Sequence, residues 1–330
     1  MAPSPRSPAH TIVTVPLVSV GLVTWNSAAF VDRCLDAVAA QTHQPLELLV
    51  ADNASTDGTR ARLATRVPRG DQLLFDANTG YSAAHNRLID RSRGPYYLAL
   101  NPDVELDPGF VATLVAALER DDRAGAASGK LLRLDPPGVI DSAGIVMLRS
   151  QRHLDRGADQ PDHGQYDEPV EVFGVSGAAG FYRRRMLDDV RIDGEYFDED
   201  FFAYREDADL AWRARLRGWR AVYVPGALAR HGRRVTPERR RQLPAAINRA
   251  SVRNRFLLRI KNQTPAHFLG CLGPTLWRDL VVVGGVVLTE PTSLAAFIDL
   301  VRLLPRTLAK RRAIMAGRRA SDQDILRWFS

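Results

Sequence analysis

Residues 47–59, ELLVADNASTDGT, join a predicted strand to a polar loop, and this junction decides the fold. The apolar run ends at Asp52 and Asn53, and the Ser, Thr, Asp and Gly residues that follow suit a turn that opens a helix. Loops at the carboxyl ends of strands are where open α/β sheets bind ligands. Because an ionised Asp only accepts hydrogen bonds, Asp52 could pair with the N3–H of uracil or thymine. The same residue types make ordinary helix caps, so this stretch alone leaves binding and capping open.

A second junction follows the run Tyr96–Leu100, whose aromatic and aliphatic residues predict a buried strand. Asn101, Pro102 and Asp103 come directly after it, so Asp103 should lie on the same sheet edge as Asp52. A carboxylate there suits Mg²⁺ or Mn²⁺, which proteins usually bind through one or two carboxylates together with substrate phosphates. A plain strand-to-loop turn is the alternative, because Asn-Pro pairs start turns.

A predicted helix over residues 206–217 carries a third acid in an unusual position. Asp207 shares its face of the helix with apolar residues at i+3, i+4 and i+7, whereas Asp209 has an ordinary partner in Arg213 four residues later. A partly desolvated Asp that faces a cleft can take a proton from a hydroxyl group, so Asp207 is the candidate general base. A capping or salt-bridged Asp is the alternative.

Eight motifs in fixed order carry a resemblance to a known family. They are GLVTWN, ADNASTDGT, NTGYSAAHN, LALNPD, SGAAGFYRR, FDEDFFAYREDADLAWR, GWRAVYVPGALARH and RNRF. Over about residues 18–261 the chain resembles bacterial family 2 glycosyltransferases of the GT-A fold, in the rhamnosyltransferase-like branch. The resemblance implies an α/β nucleotide-diphospho-sugar transferase fold. It also implies inverting transfer from a UDP- or dTDP-sugar, with dTDP-rhamnose favoured, to a hydroxyl of a cell-envelope glycan or lipid-linked acceptor.

The resemblance also implies roles for individual residues. Asp207 matches the catalytic base, Asp103 the main ligand of Mg²⁺ or Mn²⁺, and His231 a further metal ligand. Donor contacts are implied for Thr24, Asn26, Asp52, Asn53, Asn78, Gly80, Asn86, Asn101, Asp103, Arg253 and Arg255, and acceptor contacts for Gly177, Ala178, Glu206 and Trp212. The chain departs from the family pattern at Asn101, where related metal sites carry an acid, so strict metal dependence is left open. Ordinary structural roles are the alternative for His231, the Asn-rich loop and the two arginines.

Alternating short strands and helices predict a mainly parallel sheet with helices on both sides. The predicted strands cover residues 18–23, 47–52, 72–75, 96–100 and 221–224, and the predicted helices cover 28–41, 83–91, 108–120 and 206–217. The polar stretch 141–169 is predicted to be a long excursion that forms a flap over the acceptor cleft.

Charge is distributed very unevenly along the 330 residues. Residues 212–330 contain 24 Arg or Lys and 6 Asp or Glu, whereas residues 1–211 contain 21 and 32. A basic half favours an anionic partner. Nucleic acid is not favoured, because no stacking aromatics alternate with the arginines and no nucleic-acid module is recognisable. Diphosphates and anionic lipid head groups are the better candidates. The sequence does not predict the oligomeric state.

We divide the chain into a loose N-terminal arm (1–14), a GT-A domain (15–262) and a basic amphipathic helical extension (263–330). Apolar residues recur at helical spacing in the extension, and basic residues follow them. The apolar set is Leu294, Phe297, Ile298, Val301 and Leu304, and the basic set is Arg306, Lys310, Arg311, Arg312, Arg318 and Arg319. This pattern is typical of a helix on a membrane surface, with packing against the catalytic domain as the alternative. The run 280–288 is too short to span a bilayer.

The chain has two distant cysteines, Cys34 and Cys271, which predict neither a disulfide framework nor a zinc site. Residues 1–14 lack the apolar run of a signal peptide. We therefore expect a cytoplasmic protein, with the anionic inner face of the plasma membrane as a candidate place of attachment. The competing functional hypothesis is a GT-A module that binds a sugar nucleotide or glycan without catalysis. The presence of Asp52, Asp103 and Asp207 favours an enzyme.

Overall fold

The computed structural model describes residues 15–233 and 245–330, in which strands and helices alternate. The predicted arm, residues 1–14, lies outside the described residues. The strands are β1 (Val18–Thr24), β2 (Leu46–Asp52), β3 (Gln72–Leu74), β4 (Tyr96–Leu100), β5 (Val104–Leu106), β6 (Ala124–Arg133), β7 (Ile140–Ser142), β8 (Ile145–Met147), β9 (His153–Asp155), β10 (Val170–Val172), β11 (Ala179–Arg183) and β12 (Arg220–His231).

The helices follow the same order. They are α1 (Val31–Ala39), α2 (Thr59–Arg66), α3 (Gly80–Arg91), α4 (Phe110–Glu119), α5 (Arg184–Asp189), α6 (Glu206–Leu216), α7 (Ala245–Asn262), α8 (Pro265–Gly270), α9 (Leu272–Thr289), α10 (Ala295–Ala316) and α11 (Asp322–Leu326). Short 3₁₀ helices cover Arg69–Asp71, Glu199–Phe201 and Pro291–Leu294.

One large sheet has the strand order β10-β12-β6-β11-β4-β1-β2-β3, with β5 paired to β12 and β7 paired to β6. Strand β1 runs parallel to β2 and β4, β2 parallel to β3, and β6 parallel to β12. Strand β11 is antiparallel to both of its neighbours, β4 and β6. Parallel pairs hold most of the registered residues, so the predicted α/β class with a mainly parallel sheet is confirmed.

The carboxyl ends of β1, β2 and β4 lie at one edge of the sheet. In the register of β1 and β2, Thr24 stands opposite Asp52, and in that of β1 and β4, Leu22 stands opposite Leu100. The sheet face is closely packed here, because a Cβ atom on Gly21 would lie 1.8 Å from the Tyr97 hydroxyl. The loops that follow these three strands therefore begin side by side, as the sequence predicted.

The five predicted strands are present, but β12 is much longer than predicted and other strands were missed. The missed strands β6 and β11 read AGAASGKLLR and AGFYR, and β11 is buried throughout. Gly and Ala are weak strand formers, so these strands owe their stability to burial between neighbours rather than to propensity. The predicted excursion over residues 141–169 contains the antiparallel pair β8 and β9.

The C-terminal helices pack against the α/β domain. Trp212 of α6 is fully buried, and its ring centroid lies 5.2 Å from that of His267 and 5.1 Å from that of Phe329. Buried apolar side chains from α6, α7, α10 and α11 form one cluster around these rings. The alternative predicted for the extension, packing against the catalytic domain, therefore holds for α10 and α11.

Buried ion pairs also join α10 to the domain. Lys310, one of the basic residues predicted to face a membrane, is buried and lies 2.9 Å from Glu195, 2.6 Å from Asp198 and 2.9 Å from Asp200. Lys261 of α7 pairs with the same Asp198. The membrane role predicted for Lys310 is contradicted, because its ammonium group is enclosed by carboxylates of the domain.

Helix α9 is different from its neighbours. Among the described helices it is the one that is long and apolar enough to cross a membrane by length and composition, and only 11% of its residues are buried. Its exposed apolar residues are Leu276, Trp277, Leu280, Val281, Val283, Val287 and Leu288. The apolar positions predicted on α10 are also largely exposed, since Ile298 and Val301 keep 55% and 69% of their surface. Association with a membrane remains a prediction.

We expect Lys310→Met to lower the free energy of unfolding by about 3–5 kcal/mol, because three buried carboxylates lose their shared cation. Urea unfolding followed by circular dichroism measures this change. The matched control is Arg302→Met, an exposed position on the same helix, which should change the free energy by less than about 0.5 kcal/mol. Equal stability of the two variants would contradict a structural role for the Lys310 pairs.

Candidate active site

The loops after β1 and β2 contain residues predicted to bind the nucleotide base. Asp52 is fully buried and accepts hydrogen bonds from the Thr24 hydroxyl at 2.9 Å and the Ser55 amide at 3.0 Å. It also pairs with Arg60 Nε at 2.6 Å. The Asn26 amide donates to the Ser55 hydroxyl at 2.9 Å, so Thr24, Asn26 and Asp52 lie together. Arg60 was missed in the sequence, and a nucleobase that donates to Asp52 would have to share this carboxylate with it.

The loop before α3 is fastened to Asn53 and contains a left-handed glycine. Asn53 Oδ1 accepts a hydrogen bond from the Thr79 hydroxyl at 2.9 Å, and Asn53 Nδ2 donates to the Gly80 carbonyl at 3.1 Å. Asn78 Oδ1 accepts from the Gly80 amide at 2.9 Å. Gly80 has φ of +87°, and a Cβ atom there would lie 2.5 Å from the Phe202 carbonyl oxygen. Only glycine fits this position, so the loop is held in one conformation beside Asp52.

The side-chain amide of Asn86 is fully hydrogen-bonded to the segment that precedes α6. It is buried on α3, its Oδ1 accepts from the amides of Tyr196 at 3.2 Å and Phe197 at 2.8 Å, and its Nδ2 donates to Phe197 at 2.8 Å and Glu199 at 3.0 Å. Both amide protons and the carbonyl are thereby satisfied. Asn86 therefore positions the segment before α6. This is the structural role that was the alternative to the predicted donor contact.

Strands β5 and β12 bring Asp103 and His231 together. His231 Nε2 lies 3.4 Å from Asp103 Oδ1, and its Nδ1 lies 2.7 Å from Asp141 Oδ2. Although burial favours the neutral ring, the hydrogen bonds to Asp103 and Asp141 raise the pKa of His231 to about 10. Asp141 also pairs with Arg233 at 2.9 Å. Asp141 was missed because nothing in the stretch around it distinguishes a site residue from a surface loop.

Asp103 and His231 fit part of a Mg²⁺ or Mn²⁺ site. Residues 15–233 and 245–330 contain no group of three or more His, Cys, Asp or Glu side chains that could hold a metal ion unaided. One oxygen and one nitrogen donor on adjacent strands, with substrate phosphates as the remaining ligands, match the way these ions usually bind. Asn101 contributes its backbone here, since its amide donates to the Ala178 carbonyl at 2.9 Å.

Helix α6 presents Asp207 in its first turn. Asp207 Oδ2 accepts a hydrogen bond from the Gly177 amide at 3.0 Å, and its Oδ1 accepts from the Ala208 amide at 2.7 Å. Burial raises the pKa of Asp207, although these two amides oppose the change. Burial and the neighbouring Asp207 charge raise the pKa of Glu206 to about 8. A carboxylate that is oriented by backbone amides and has a raised pKa is suited to accept a proton.

Hydrogen bonds through the backbone of Gly177 and Ala178 join the three acidic segments. The Gly177 amide donates to Asp207, and the Gly177 carbonyl accepts from the Tyr81 hydroxyl at 2.8 Å. The Ala178 carbonyl accepts from the amide of Asn101, which begins the loop of Asp103. Tyr81 lies in the first turn of α3, directly after the loop that Asn53 fastens next to Asp52. The predicted segments therefore meet around one backbone segment, and Tyr81 is a neighbour that sequence reasoning missed.

The turn before α6 has an unusual backbone. Phe202, Tyr204 and Arg205 have φ values of 63°, 68° and 74°, and such non-glycine conformations cost about 1–3 kcal/mol each. The side chain of Asn254, fully buried on α7, donates to three carbonyl oxygens of this turn at 2.8, 2.9 and 2.9 Å. The sequence prediction chose Arg253 and Arg255 and missed the Asn between them. The sequence offered a signal for Asn254, because it is a polar residue within a helix.

The acceptor contact predicted for Trp212 is contradicted by the position of its side chain, and the donor contact predicted for Arg253 stays a prediction. Trp212 has no exposed surface and lies within the aromatic cluster, so it cannot touch an acceptor. Arg253 donates to the carbonyl oxygens of Asp200 and Phe201, so its guanidinium group supports the turn before α6. The error arose because sequence spacing does not show which face of a helix is covered by a distant part of the chain.

Comparison with known proteins gives a family and close relatives. A family model described as glycosyl transferase family 2 matches residues 19–191. The N-acetylglucosaminyl-diphospho-decaprenol L-rhamnosyltransferase of Mycobacterium tuberculosis is 33% identical over an alignment of 238 residues, which covers 65% of this chain and 76% of that protein.

Solved structures share the fold at low sequence identity. TarS of S. aureus has a TM-score of 0.56 and 20% identity, and the match covers 94% of this chain and 54% of that one, about half its length. TarS 1–349 in complex with UDP-GlcNAc has a TM-score of 0.54, with 17% identity and coverage of 90% and 88%. The mannosyltransferase PcManGT of Pyrobaculum calidifontis, in complex with GDP-Man and Mn²⁺, has a TM-score of 0.51, with 19% identity and coverage of 92% and 86%. These likenesses confirm the predicted GT-A fold.

We expect Glu206→Gln to raise the melting temperature at pH 8 and to leave it nearly unchanged at pH 4. The pKa of Glu206 in the folded protein, about 8, lies above the ordinary value of 4.5. The stability that this group contributes is therefore fully present below pH 4.5 and is lost as the pH rises towards 8. The glutamine side chain is uncharged at every pH, so the variant does not lose this stability at pH 8. Thermal unfolding at both pH values tests this, with Glu168→Gln as an exposed control. Equal shifts at pH 4 and pH 8 would contradict a raised pKa.

Proposed function

The chain belongs to glycosyl transferase family 2 and is a glycosyltransferase, and we propose that it is an inverting enzyme that transfers a hexose from a UDP- or dTDP-sugar. We propose a hydroxyl group of a cell-envelope glycan or a lipid-linked acceptor as the receiving group. The observation that carries the proposal is the meeting of the Asp52, Asp103 and Asp207 segments around Gly177 and Ala178. A non-catalytic binding module would not need a pKa-shifted carboxylate at that point.

The donor assignment rests on Asp52 and on the relative's name. A carboxylate accepts from the N3–H of uracil or thymine and repels the N3 lone pair of cytosine. Thr24, Asn26 and Asn53 surround that carboxylate or the adjacent loop, and they supply groups for the base and ribose. The relative that is 33% identical is named as an L-rhamnosyltransferase, so dTDP-rhamnose is the donor that we favour.

The reaction that we propose is a single displacement. Asp207 takes the proton of the acceptor hydroxyl, and the oxygen attacks the anomeric carbon from the face opposite the diphosphate. A carbon–oxygen bond to the acceptor forms as the bond to the diphosphate breaks, and the leaving nucleoside diphosphate keeps the electron pair. The Gly177 amide fixes the direction of the Asp207 carboxylate. The anomeric configuration is inverted because only one displacement takes place.

Asp103 and His231 are the residues that would hold Mg²⁺ or Mn²⁺. A divalent ion there would supply positive charge to the leaving diphosphate. His231 would have to release a proton to bind the ion, because metal ligation requires the neutral imidazole. Asp141 would then orient the ring through Nδ1, as a carboxylate behind a ligating histidine commonly does.

The acceptor is proposed to be a lipid-linked sugar at a membrane. The named acceptor of the Mycobacterium tuberculosis relative is a diphospho-decaprenol-linked N-acetylglucosamine. The exposed apolar surface of α9 and the basic character of residues 212–330 suit an anionic bilayer surface. We therefore place the protein in the cytoplasm, attached to the inner face of the plasma membrane.

Asp207→Asn should lower kcat by about 10²–10⁴-fold, because the amide cannot accept the acceptor proton. Donor affinity should stay within about twofold of wild type, since the base assists chemistry rather than donor binding. Nucleotide release in the presence of acceptor measures kcat, and calorimetry measures donor affinity. Asp122→Asn is the control, because that side chain is 90% exposed. Wild-type turnover by Asp207→Asn would remove Asp207 as the base.

Thermal-shift measurements with a panel of nucleotide sugars test the donor assignment. With Mn²⁺ present, dTDP- and UDP-sugars should raise the melting temperature and CDP-sugars should not, because cytosine offers no N3–H to Asp52. Asp103→Asn should remove the part of the shift that depends on Mn²⁺ and keep the part seen in EDTA. dTMP, which lacks the diphosphate, is the control and should give a shift independent of Mn²⁺. A shift with CDP-sugars as large as that with dTDP-sugars would contradict the role of Asp52.

A further inference from the structure

Arg205 contacts His153 beside the turn that precedes α6, and three further arginines, Arg152, Arg255 and Arg278, act electrostatically on His153 or on one another. Arg205 ends this turn, and its guanidinium group lies 2.9 Å from Nδ1 of His153 on β9. Burial and the charges of Arg205, Arg255 and Arg152 hold the pKa of His153 well below its usual value. The remaining member, Arg278, lies on α9.

A salt bridge between α7 and α9 brings two of these arginines together. Arg259 of α7 lies 2.7 Å from Asp279 of α9. Arg255 is one helical turn before Arg259, and Arg278 directly precedes Asp279. Burial and the charges of Arg278, Arg259 and Arg152 lower the pKa of Arg255 to about 10, although the carboxylate of Asp279 opposes this change.

Contacts between α9 and the turn that joins β8 and β9 place Arg152 next to the same group. The Thr275 hydroxyl donates to the Arg149 carbonyl at 3.3 Å, and Arg278 follows Thr275 by one helical turn. Gln151, adjacent to Arg152, makes a 3.0 Å contact with the ring of His267 on α8. Burial and Arg278 lower the pKa of Arg152. The turn, α7 and α9 therefore carry arginines whose charges act on one another.

Three arginines of this group form no ion pair within the described residues, unlike many other basic residues there. Within residues 15–233 and 245–330, Arg152, Arg255 and Arg278 take part in no ion pair, and the buried Nε of Arg278 has no hydrogen-bond partner. By contrast, Arg249 of α7 pairs with Asp299 of α10, so other arginines of these helices do have a carboxylate partner. Like charges held close together cost stability unless an anion joins them. The cluster therefore has the composition of an anion site.

An apolar groove adjoins the cluster. It lies between α7, α8 and α9 and has a volume of about 410 Å³. Its lining includes apolar Ile260, Phe268, Leu272 and Leu276 and charged Arg259, Asp279 and Arg311. Arg259 and Asp279, whose salt bridge joins α7 to α9, are thus part of the groove wall. The exposed apolar surface of α9 continues from Leu276. A ligand with an anionic head and an apolar tail would match both surfaces.

We propose that the arginine cluster Arg152, Arg205, Arg255 and Arg278 binds the diphosphate of a polyprenyl-diphosphate-linked acceptor, and that the groove and α9 receive its first prenyl units. Arginine forks bind phosphate oxygens in pairs, which suits a diphosphate. This inference rests on the proposed function, since an acceptor sugar attached to that diphosphate would lie at Asp207, two residues after Arg205. Arg255 thereby serves the acceptor rather than the donor.

The test is the affinity of the full chain for farnesyl diphosphate, measured by calorimetry in EDTA so that no divalent ion supports the donor site. Arg255→Gln/Arg278→Gln should raise Kd by about tenfold or more, because two charge-assisted contacts are lost. Arg120→Gln/Arg302→Gln removes the same charge from exposed positions and should leave Kd unchanged. Arg152→Gln, in the turn between β8 and β9, should also weaken binding, without a change in folding. Farnesol and inorganic diphosphate should each bind more weakly than farnesyl diphosphate.

Three outcomes would overturn the inference. They are an unchanged Kd in both Arg255→Gln/Arg278→Gln and Arg152→Gln, equal affinity for inorganic diphosphate and farnesyl diphosphate, and a loss of dTDP affinity in Arg255→Gln/Arg278→Gln. The last would return Arg255 to the donor site. The melting temperature of the cluster variants should stay equal to wild type or rise, because mutual repulsion is reduced. Failure of the proposed function would be seen in a different measurement. In that case the wild-type protein would neither hydrolyse any nucleotide sugar nor transfer its sugar to an acceptor.

Discussion

The hydrogen bond from the Gly177 amide to the Asp207 carboxylate is the contact on which the site depends. Gly177 lies just before β11, and β11 pairs antiparallel with β4, whose end leads to Asp103. The sheet therefore sets the distance between the proposed base and the proposed metal ligand through a few rigid backbone units. Burial raises the pKa of Asp207 while the amide keeps its carboxylate oriented. A flexible loop in place of β11 would provide neither the fixed position nor the desolvation.

Short-range patterns predicted the elements that carry their own signal. The apolar runs of β1, β2 and β4 and the acids at their ends required only neighbouring residues, and the face of α6 was enough to separate Asp207 from Asp209. Contacts between distant residues could not be predicted. Asp141 and His231 are 90 positions apart, and Asn254 is 53 positions from the Phe201 carbonyl that it binds. Nothing local marks such partners, because they are selected by tertiary packing.

The uneven charge of the chain has two different physical explanations. Part of the basic C-terminal half is neutralised internally, since Lys310 and Arg249 pair with acids of the domain or of α10. A net-charge count therefore overstates the charge available to a partner. Arg255 of α7 and Arg278 of α9 form no ion pair within the described residues, and α9 contacts the turn between β8 and β9. The expectation of a diphosphate or lipid head group from composition was reasonable, but only contacts in space could show which arginines lack acidic neighbours.

The C-terminal helices complete the site rather than forming an independent extension. Asn254 of α7 holds the left-handed turn that positions both Arg205 and Asp207, and its three hydrogen bonds offset a backbone strain of about 1–3 kcal/mol per residue. Arg278 of α9 lies beyond the predicted domain boundary at residue 262, yet it belongs to the same group of cations as Arg205. Displacement of α7 would therefore move the proposed base and the proposed acceptor anchor together. Helix α9 is joined to α7 by the Arg259–Asp279 salt bridge, and α7 is joined to the turn before α6 by Asn254. A bilayer or lipid that shifts α9 would therefore also shift the proposed catalytic carboxylate.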